Sequence, residues 1–354
     1  MAAAGVECLL LSLGADLPWL TGYTAMPLER LTMLVLPADG SASLVVPRLE
    51  APRVAEDSSA FAVVPWDEWE DPVGIVANLV GSRRQLAVSD RAWATFLLQL
   101  QRRLPDAAWR VASSVTGPLR AVKDAREIDA LAAASAAADR VAAALVGGEL
   151  PLVGRTEAEV SEDIGRRLVA EGHQRVNFAI VGSGPNSASP HHEAGPRVIG
   201  PGEAVVCDFG GTMDGYCSDI TRTVFTGEPP SEFVALYSVL QQAQAAAVQA
   251  AAVGTTCEDV DRTARDIIAG AGYGEYFIHR TGHGIGLEEH EDPYIVGGNG
   301  ERLVPGHAFS VEPGIYLPGR FGARIEDIVV AGADGPRPLN VVDHDLAVVS
   351  GEPW

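Results

Sequence analysis

Histidine is absent from the first 172 residues of this 354-residue chain. Its eight histidines are His173, His191, His192, His279, His283, His290, His307 and His344, so any histidine chemistry belongs to the second half. Positive charge is also scarce: 26 Lys and Arg stand against 47 Asp and Glu, a formal net charge of −21. That balance gives no electrostatic footprint for nucleic acid or an anionic membrane surface, and its plain consequence is solubility. Long apolar runs are missing too. None approaches the ~20 residues of a membrane helix, and the alanine-rich stretch Ala130 to Val146 is interrupted by Ser135, Asp139 and Arg140. The first residues, Met1-Ala-Ala-Ala-Gly-Val-Glu-Cys8, lack the basic region of a signal peptide, so a cytoplasmic location is expected. No CxxC pair occurs among Cys8, Cys207, Cys217 and Cys257, which excludes a zinc knuckle of that kind and reads as free thiols in a reducing compartment.

What is present is an ordinary globular composition, 47% hydrophobic, long enough for one large or two medium domains. In the first ~120 residues short strands (9–13, 32–36, 43–46, 60–64, 86–88) alternate with helices over 68–80 and 92–104. The turn Pro37-Ala-Asp-Gly40 suggests a hairpin. This is a small α/β domain. Asp124 and Glu127 form a capping box for a helix running to Val146, which Gly147-Gly148 ends. Thr156 caps a second helix, 157–171. Strands are expected over 177–181, 204–209 and 216–225, the last two joined by the hairpin signal Met213-Asp-Gly215. Helices over 231–253 and 257–271 follow, then strands over 308–311, 314–317 and 323–330. Helices grouped between paired antiparallel strands indicate an α+β fold rather than a doubly wound sheet. A loose internal symmetry is visible, because each half of this region ends in a hairpin carrying two acids.

Those acids are the chemical signal. Asp208 and Asp219 fall on the two arms of the proposed hairpin, where cross-strand Cβ atoms lie about 5 Å apart. Two carboxylates that close repel unless one is protonated or a cation bridges them. A solvated face is the alternative, although Asp208 sits in the apolar run Val205-Val-Cys-Asp-Phe209. Glu312 also interrupts an apolar strand, in Phe309-Ser-Val-Glu-Pro-Gly-Ile-Tyr316. Arg324 and Glu326 fall two apart, on one face of a strand, where a surface salt bridge is the alternative. His279, His283 and His290 lie in a glycine-rich segment, with glycines at 282, 284 and 286 that disfavour a helix and let backbone approach a ligand. Four acids and one histidine make an oxygen-rich ligand set suited to Mn²⁺, with Co²⁺ or Zn²⁺ as alternatives. Four carboxylates would balance the charge of two such ions, which together could activate a shared water.

In combination, Asp208 and Asp219 with Asp219-Ile-Thr-Arg222, Gly282-His-Gly-Ile-Gly286, Val311-Glu-Pro-Gly-Ile-Tyr316 and Arg324-Ile-Glu326 resemble the pita-bread metallopeptidases, the family of methionine aminopeptidases, Xaa-Pro aminopeptidases, prolidases and the metal-free creatinases. Residues 119–354 resemble the pita-bread catalytic domain. Residues 1–118 resemble the smaller N-terminal α/β domain of the creatinase/prolidase branch, for instance at Leu20-Thr-Gly-Tyr23 and Leu44-Val-Val-Pro-Arg-Leu-Glu50. The resemblance implies that His283 and Glu312 bind one metal and Asp208 the other, with Asp219 and Glu326 bridging. It implies that Glu312 also handles the nucleophile's proton, that His191 and His290 stabilise the tetrahedral intermediate, and that His279 lines the substrate pocket. Arg324 would serve substrate binding and orient an acidic ligand, and Tyr316 is a further supporting candidate. A homodimer is also implied.

The expected activity is release of the N-terminal residue from Xaa-Pro peptides by attack of a hydroxide shared between two divalent ions. Related prolidases usually carry an arginine shortly after the residue that His290 matches, to clamp the dipeptide carboxylate. Here the segment reads His290-Glu-Asp-Pro-Tyr294, which tilts the reading toward an aminopeptidase and leaves a strict Xaa-Pro dipeptidase second. A metal-free creatinase-type C–N hydrolase is a third reading, disfavoured because all five ligand positions carry ligand residues. A non-enzymatic binding module is a fourth.

Overall fold

The computed structural model describes residues 1–54 and 60–353, in two compact units, Met1–Arg120 and Ala121–Trp354. The last residue of the expected catalytic domain, Trp354, lies outside the described residues. Among those described, no helix is long and apolar enough to cross a membrane.

The first unit is built on β1 (Cys8–Leu11), β2 (Met33–Pro37), β3 (Ser43–Pro47), β4 (Ala62–Trp66), β5 (Gln85–Val88) and β6 (Ala108–Val111), in the order β4-β3-β2-β1-β5-β6. Central β1 pairs antiparallel with β2 and parallel with β5. Alternation along β1 sends Cys8 and Leu10 to one hydrophobic cluster and Leu9 and Leu11 to another, so both faces of the sheet are covered. Its helices are α1 (Asp16–Thr21), α2 (Pro72–Val80), α3 (Ala94–Arg103) and α4 (Ser113–Ala121). The helix expected from 68 begins at Pro72, because the Asp71 side chain accepts from the Gly74 amide and caps it there. Strand β6 and helices α1 and α4 have no counterpart in the sequence reading. β6 is mostly exposed and shows no apolar alternation that could have marked it.

The second unit opens with α5 (Ala125–Val146), capped reciprocally by Asp124 and Glu127 as expected, and α6 (Glu157–Ala170). Strands β7 (Arg175–Ser183), β8 (Ala204–Met213), β9 (Tyr216–Cys217) and β10 (Ile220–Thr226) follow, then helices α7 (Ser231–Ala250) and α8 (Cys257–Gly270). The chain finishes with β11 (Gly282–Gly284), β12 (Glu291–Ile295), β13 (Ala308–Val311), β14 (Gly314–Leu317), β15 (Phe321–Arg324), β16 (Asp327–Gly332), β17 (Gly335–Pro338) and β18 (Ala347–Val349). One sheet runs β18-β10-β8-β7 and another β12-β11-β13-β16-β17, with β14 and β15 forming a ribbon. Helices α5 and α6 pack on the first sheet through Ala138, Leu145, Ile164 and Phe209, and α7 and α8 on the second through Phe233, Leu240, Ile268 and Phe309. Each buried Phe contributes about 1.5–3 kcal/mol relative to exposure. This is the α+β arrangement that the sequence suggests.

Two strands expected to be continuous are broken, and both breaks matter for the site. The segment 216–225 divides at Ser218-Asp219, after a turn in which Asp214 and Gly215 both take positive φ. The segment 323–330 divides at Ile325-Glu326, because Arg324 pairs with Gly314 on β14 whereas Asp327 pairs with Val311 on β13. The strand changes partner there, and Glu326 instead bridges Thr221 of β10.

At the start of α6, the fully buried Glu157 carboxylate accepts from the Ser183 amide and hydroxyl and from Asn186, and meets His192 Nε2 at 2.8 Å. Burial opposes its ionisation, but the hydrogen bonds from Ser183, His192 and Asn186 prevail and hold the carboxyl below the usual glutamate range. A depressed carboxyl adds stability above its unfolded pKa, and that stability is lost as pH falls through the folded value. Glu157→Gln should therefore destabilise the protein by about 1–3 kcal/mol at pH 7. Below about pH 4.3 the gap between the variant and the parent should narrow. Thermal unfolding at both pH values checks this; an equal gap at the two pH values would contradict it.

Candidate metal centre

Strand register brings the acids together. On one face, Asp208 of β8 lies opposite Ile180 of β7 and Thr221 of β10. Thr221 in turn bridges Glu326, and its hydroxyl donates to Glu326 Oε2 at 2.6 Å. Asp208 therefore faces Thr221 rather than Asp219, which differs from the expected hairpin pairing. Asp219 sits in the break two residues earlier, on the same side. Arg324 and Glu326 share a face as expected, although a strand break separates them.

His283 is carried by β11, threaded between β12 and β13. The approach is so close that a Cβ at Gly282 would lie 1.8 Å from Ser310 O, and one at Gly284 2.2 Å from Asp292 O, which only glycine permits. Ser310 links the two ligand candidates nearby: its hydroxyl accepts from the His283 amide at 3.0 Å and donates to Glu312 Oε1 at 3.0 Å.

A cavity of about 560 Å³ is lined by Asp208, Asp219, His283, Glu312, Glu326 and Arg324, and by His191, His279 and His290. Ligand atoms of Asp219, His283 and Glu326 all lie within 4.8 Å of one another. His283 Nε2 is 3.3 Å from Glu312 Oε1 and 3.7 Å from Asp219 Oδ2. These contacts are not ion pairs. Burial and the neighbouring His290 push the His283 pKa down to about 3, and its Nδ1 faces the Gly284 carbonyl at 3.1 Å, which fixes the proton on that nitrogen. A bare lone pair on Nε2 thus points at carboxyl oxygens, an arrangement that a cation between them would satisfy.

The acids repeat the point. Burial, then Glu326 and Asp208, raise Asp219 well above the carboxylate range, and burial, then Glu312 and Asp208, do the same for Glu326. Glu312 is pushed up to about 7, chiefly by burial. Asp208 gives one oxygen, Oδ2, to Arg324, while its buried Oδ1 has no partner. An orphaned buried oxygen, a neutral imidazole aimed at carboxyl groups, and acids raised by burial and then by one another together fit a site for divalent cations. These residues could hold them.

A supporting shell surrounds this set. Arg324 donates to Tyr316 OH at 2.8 Å and to Thr221 Oγ1 at 3.1 Å, and Tyr316 OH lies 2.9 Å from His279 Nε2. The other His279 nitrogen meets the Arg280 carbonyl at 2.7 Å, so both its ring nitrogens are engaged. His290 packs edge-on against His283 with ring centroids 4.1 Å apart, and His191 lies exposed in the cavity wall. His173, His192, His307 and His344 stand elsewhere in the unit. All four cysteines are buried and unpaired.

Three residues carry more than the sequence reading gave them. Thr221 is the hinge between Asp208, Arg324 and Glu326. Arg222 is fully buried, pairs with Asp327 at 2.8 Å, and donates to the carbonyls of Thr221, Glu326, Val342 and Asp343. An arginine flanked by apolar β residues was the available signal for it. Arg280 lines the cavity, with its guanidinium 4.5 Å from the Tyr294 ring centroid, and no spacing rule marks it.

Residues 121–333 match the metallopeptidase family M24, and residues 1–122 match the creatinase/prolidase N-terminal domain. The chain belongs to metallopeptidase family M24. It is 49% identical over 353 residues to a probable dipeptidase PepE of Mycobacterium tuberculosis, covering 98% of this chain and 93% of that protein. It is 37% identical over 342 residues to an Xaa-Pro dipeptidase of Lactobacillus helveticus, covering 94% and 92%. Among solved structures, the dipeptidase PepE of Mycobacterium ulcerans superposes with a TM-score of 0.93 at 48% identity, covering 99% and 95%. The pita-bread fold with its N-terminal creatinase-type domain is thereby established, and so is membership among M24 metallo-exopeptidases, enzymes that use divalent metals.

Because the buried acids repel when no cation is present, Asp219→Asn should raise the melting temperature of chelator-treated protein by a few degrees. Manganese should stabilise the parent chain by about 2.7 kcal/mol at a hundred times its dissociation constant, and Asp219→Asn should lose at least half of that gain. Differential scanning calorimetry with chelator and with MnCl₂ tests both. An unchanged manganese response in the variant would remove Asp219 from the ligand set.

Proposed function

We propose that this protein is a two-metal Xaa-Pro dipeptidase, with Asp208, Asp219, His283, Glu312 and Glu326 as the metal ligands and Mn²⁺ as the first candidate ion. The observation that carries this reading is the convergence of four acids, three of them buried and Glu312 partly so, and an unprotonated imidazole nitrogen in one cavity. The preference for a dipeptidase over the aminopeptidase suggested by Tyr294 rests on the relatives, which are themselves named dipeptidases at up to 49% identity. The cavity also falls within the size range of small-ligand sites, about 300–1,000 Å³.

When bound, the ions supply Lewis acidity and a water ionised near neutral pH. The side chains do the rest. Glu312, beside His283 Nε2 and steadied by Ser310, is the group that takes the nucleophile's proton and returns it. His290 and His191 line the cavity, where their ring N–H groups can donate to the carbonyl oxygen as charge develops on it, while the proton that Glu312 took goes to the imide nitrogen as proline departs. Such assistance matters for a bond to proline, whose tertiary amide has no N–H. His279 has both nitrogens committed, so it acts as a fixed wall that passes the Arg324–Tyr316 network to the substrate side. Arg324 holds Asp208 in place.

His290→Ala should leave the manganese-induced thermal shift intact and lower kcat on leucyl-proline by about 10²–10³-fold. A kinetic panel of leucyl-proline against leucyl-prolyl-glycine, with and without chelator, tests the reading itself. Turnover of the dipeptide alone, abolished by chelator, is the expected result. Efficient release of leucine from the tripeptide would restore the aminopeptidase reading, and activity that survives thorough chelation would favour a metal-free hydrolase.

A further inference from the structure

Two arginines line the cavity, and they differ in how they are used. Arg324 is buried, pairs with Asp208 and donates to Tyr316, Thr221 and the Pro190 carbonyl. Its charge is consumed inside the protein. Arg280 is only half-buried. Among the described residues its guanidinium has no hydrogen bond and no carboxylate within ion-pair distance, although Glu289 lines the same cavity. What holds it is the face of Tyr294, 4.5 Å from the ring centroid. A cation–π contact of that kind restrains the guanidinium while leaving its N–H groups available.

An uncommitted cation in an otherwise acidic cavity needs a reason. Bound divalent ions would offset the charge of the four acids, and Arg324 is already paired with Asp208, so Arg280 is the cationic side chain of the lining with N–H groups left for an anionic ligand group. A dipeptide has such a group one residue beyond the scissile bond: its C-terminal carboxylate. Planar guanidinium and carboxylate match through two parallel hydrogen bonds, and a guanidinium pre-oriented on a ring loses little freedom in forming them.

We propose that Arg280, held against the face of Tyr294, anchors the C-terminal carboxylate of the dipeptide and so sets the length of substrate the site accepts. Extending the peptide past proline turns that carboxylate into a neutral amide, and the anchor then has nothing charged to grip. The proposal rests on the dipeptidase reading and names the residue that would make the enzyme one. Tyr294 becomes a positioning residue that acts through Arg280.

The test uses manganese-loaded full-length protein and a leucyl-proline analogue whose scissile carbonyl is replaced by CH₂, in two forms, free acid and C-terminal amide. Calorimetry should show the parent binding the acid at least about ten-fold more tightly than the amide. Arg280→Gln should abolish that preference, and Tyr294→Leu, which leaves the charge in place, should reduce it by about half on a logarithmic scale. In parallel, Arg280→Gln should raise KM for leucyl-proline by at least about ten-fold with a smaller change in kcat, the pattern of lost ground-state binding. An acid preference that is absent in the parent, or unchanged in Arg280→Gln, overturns the anchor. If the parent hydrolyses neither dipeptide nor tripeptide but shows an acid preference that Arg280→Gln removes, the anchor stands and the dipeptidase reading falls.

Discussion

Four acids and an unprotonated imidazole nitrogen crowded into one buried space constrain the second unit more than any other feature. Each group would rather be apart from the others, since like charges in a low-dielectric cavity repel far more strongly than in water. The repulsion is visible in the raised Asp219, Glu326 and Glu312 carboxyls. A fold can keep such a set only by fixing it from outside and by offering a site where cations offset the charge.

The fixing is done at the seam between the two sheets. Thr221 of β10 touches Glu326 through both backbone and hydroxyl, and Arg222, next in sequence, turns to the opposite side and binds the Glu326 carbonyl and the Asp327 carboxylate. Asp327 is further engaged by Gln244 and His344. Burial disfavours its charge, yet His344 and Arg222 keep it below the usual aspartate range. Thus one side of the seam carries ligands and the other carries a fully satisfied ion pair. The paired, hydrogen-bonded charges on one side hold steady the unpaired ones on the other. The strand break at Ile325-Glu326 is the local expression of this, because a continuous strand could not pair with β14, meet Thr221 and then pair with β13.

Much of this was legible in the sequence, and the reasons divide cleanly. Capping residues act over three or four positions, so the α5 start at Asp124 and Glu127 could be read directly. Acids inside apolar strands stand out against their surroundings, which exposed Asp208 and Glu312. The glycines around His283 pointed to close backbone approach, and the 1.8 Å and 2.2 Å separations at Gly282 and Gly284 give that its cause. What escaped was whatever depends on pairing between distant segments. Whether Asp208 faces Asp219 or Thr221 is a matter of register, and register follows from where the chain breaks, at Ser218-Asp219, for which no local pattern exists.

The same limit explains Arg280 and Tyr294. Read position by position, a tyrosine where related prolidases carry an arginine looks like the loss of a cationic group, and it pulled the functional reading away from a dipeptidase. In space the cation is there: it arrives from the segment before β11 and lies on the tyrosine ring. A charge is defined by its location in the cavity, not by the strand that carries it, and an aromatic face is one of the few surfaces that can hold a guanidinium without neutralising it. The tyrosine is therefore better understood as the support for an arginine that reaches the cavity from another segment than as the loss of a cation. Residue-by-residue transfer of a family's pattern cannot detect such an arrangement, because it compares positions along the chain and not charges in space.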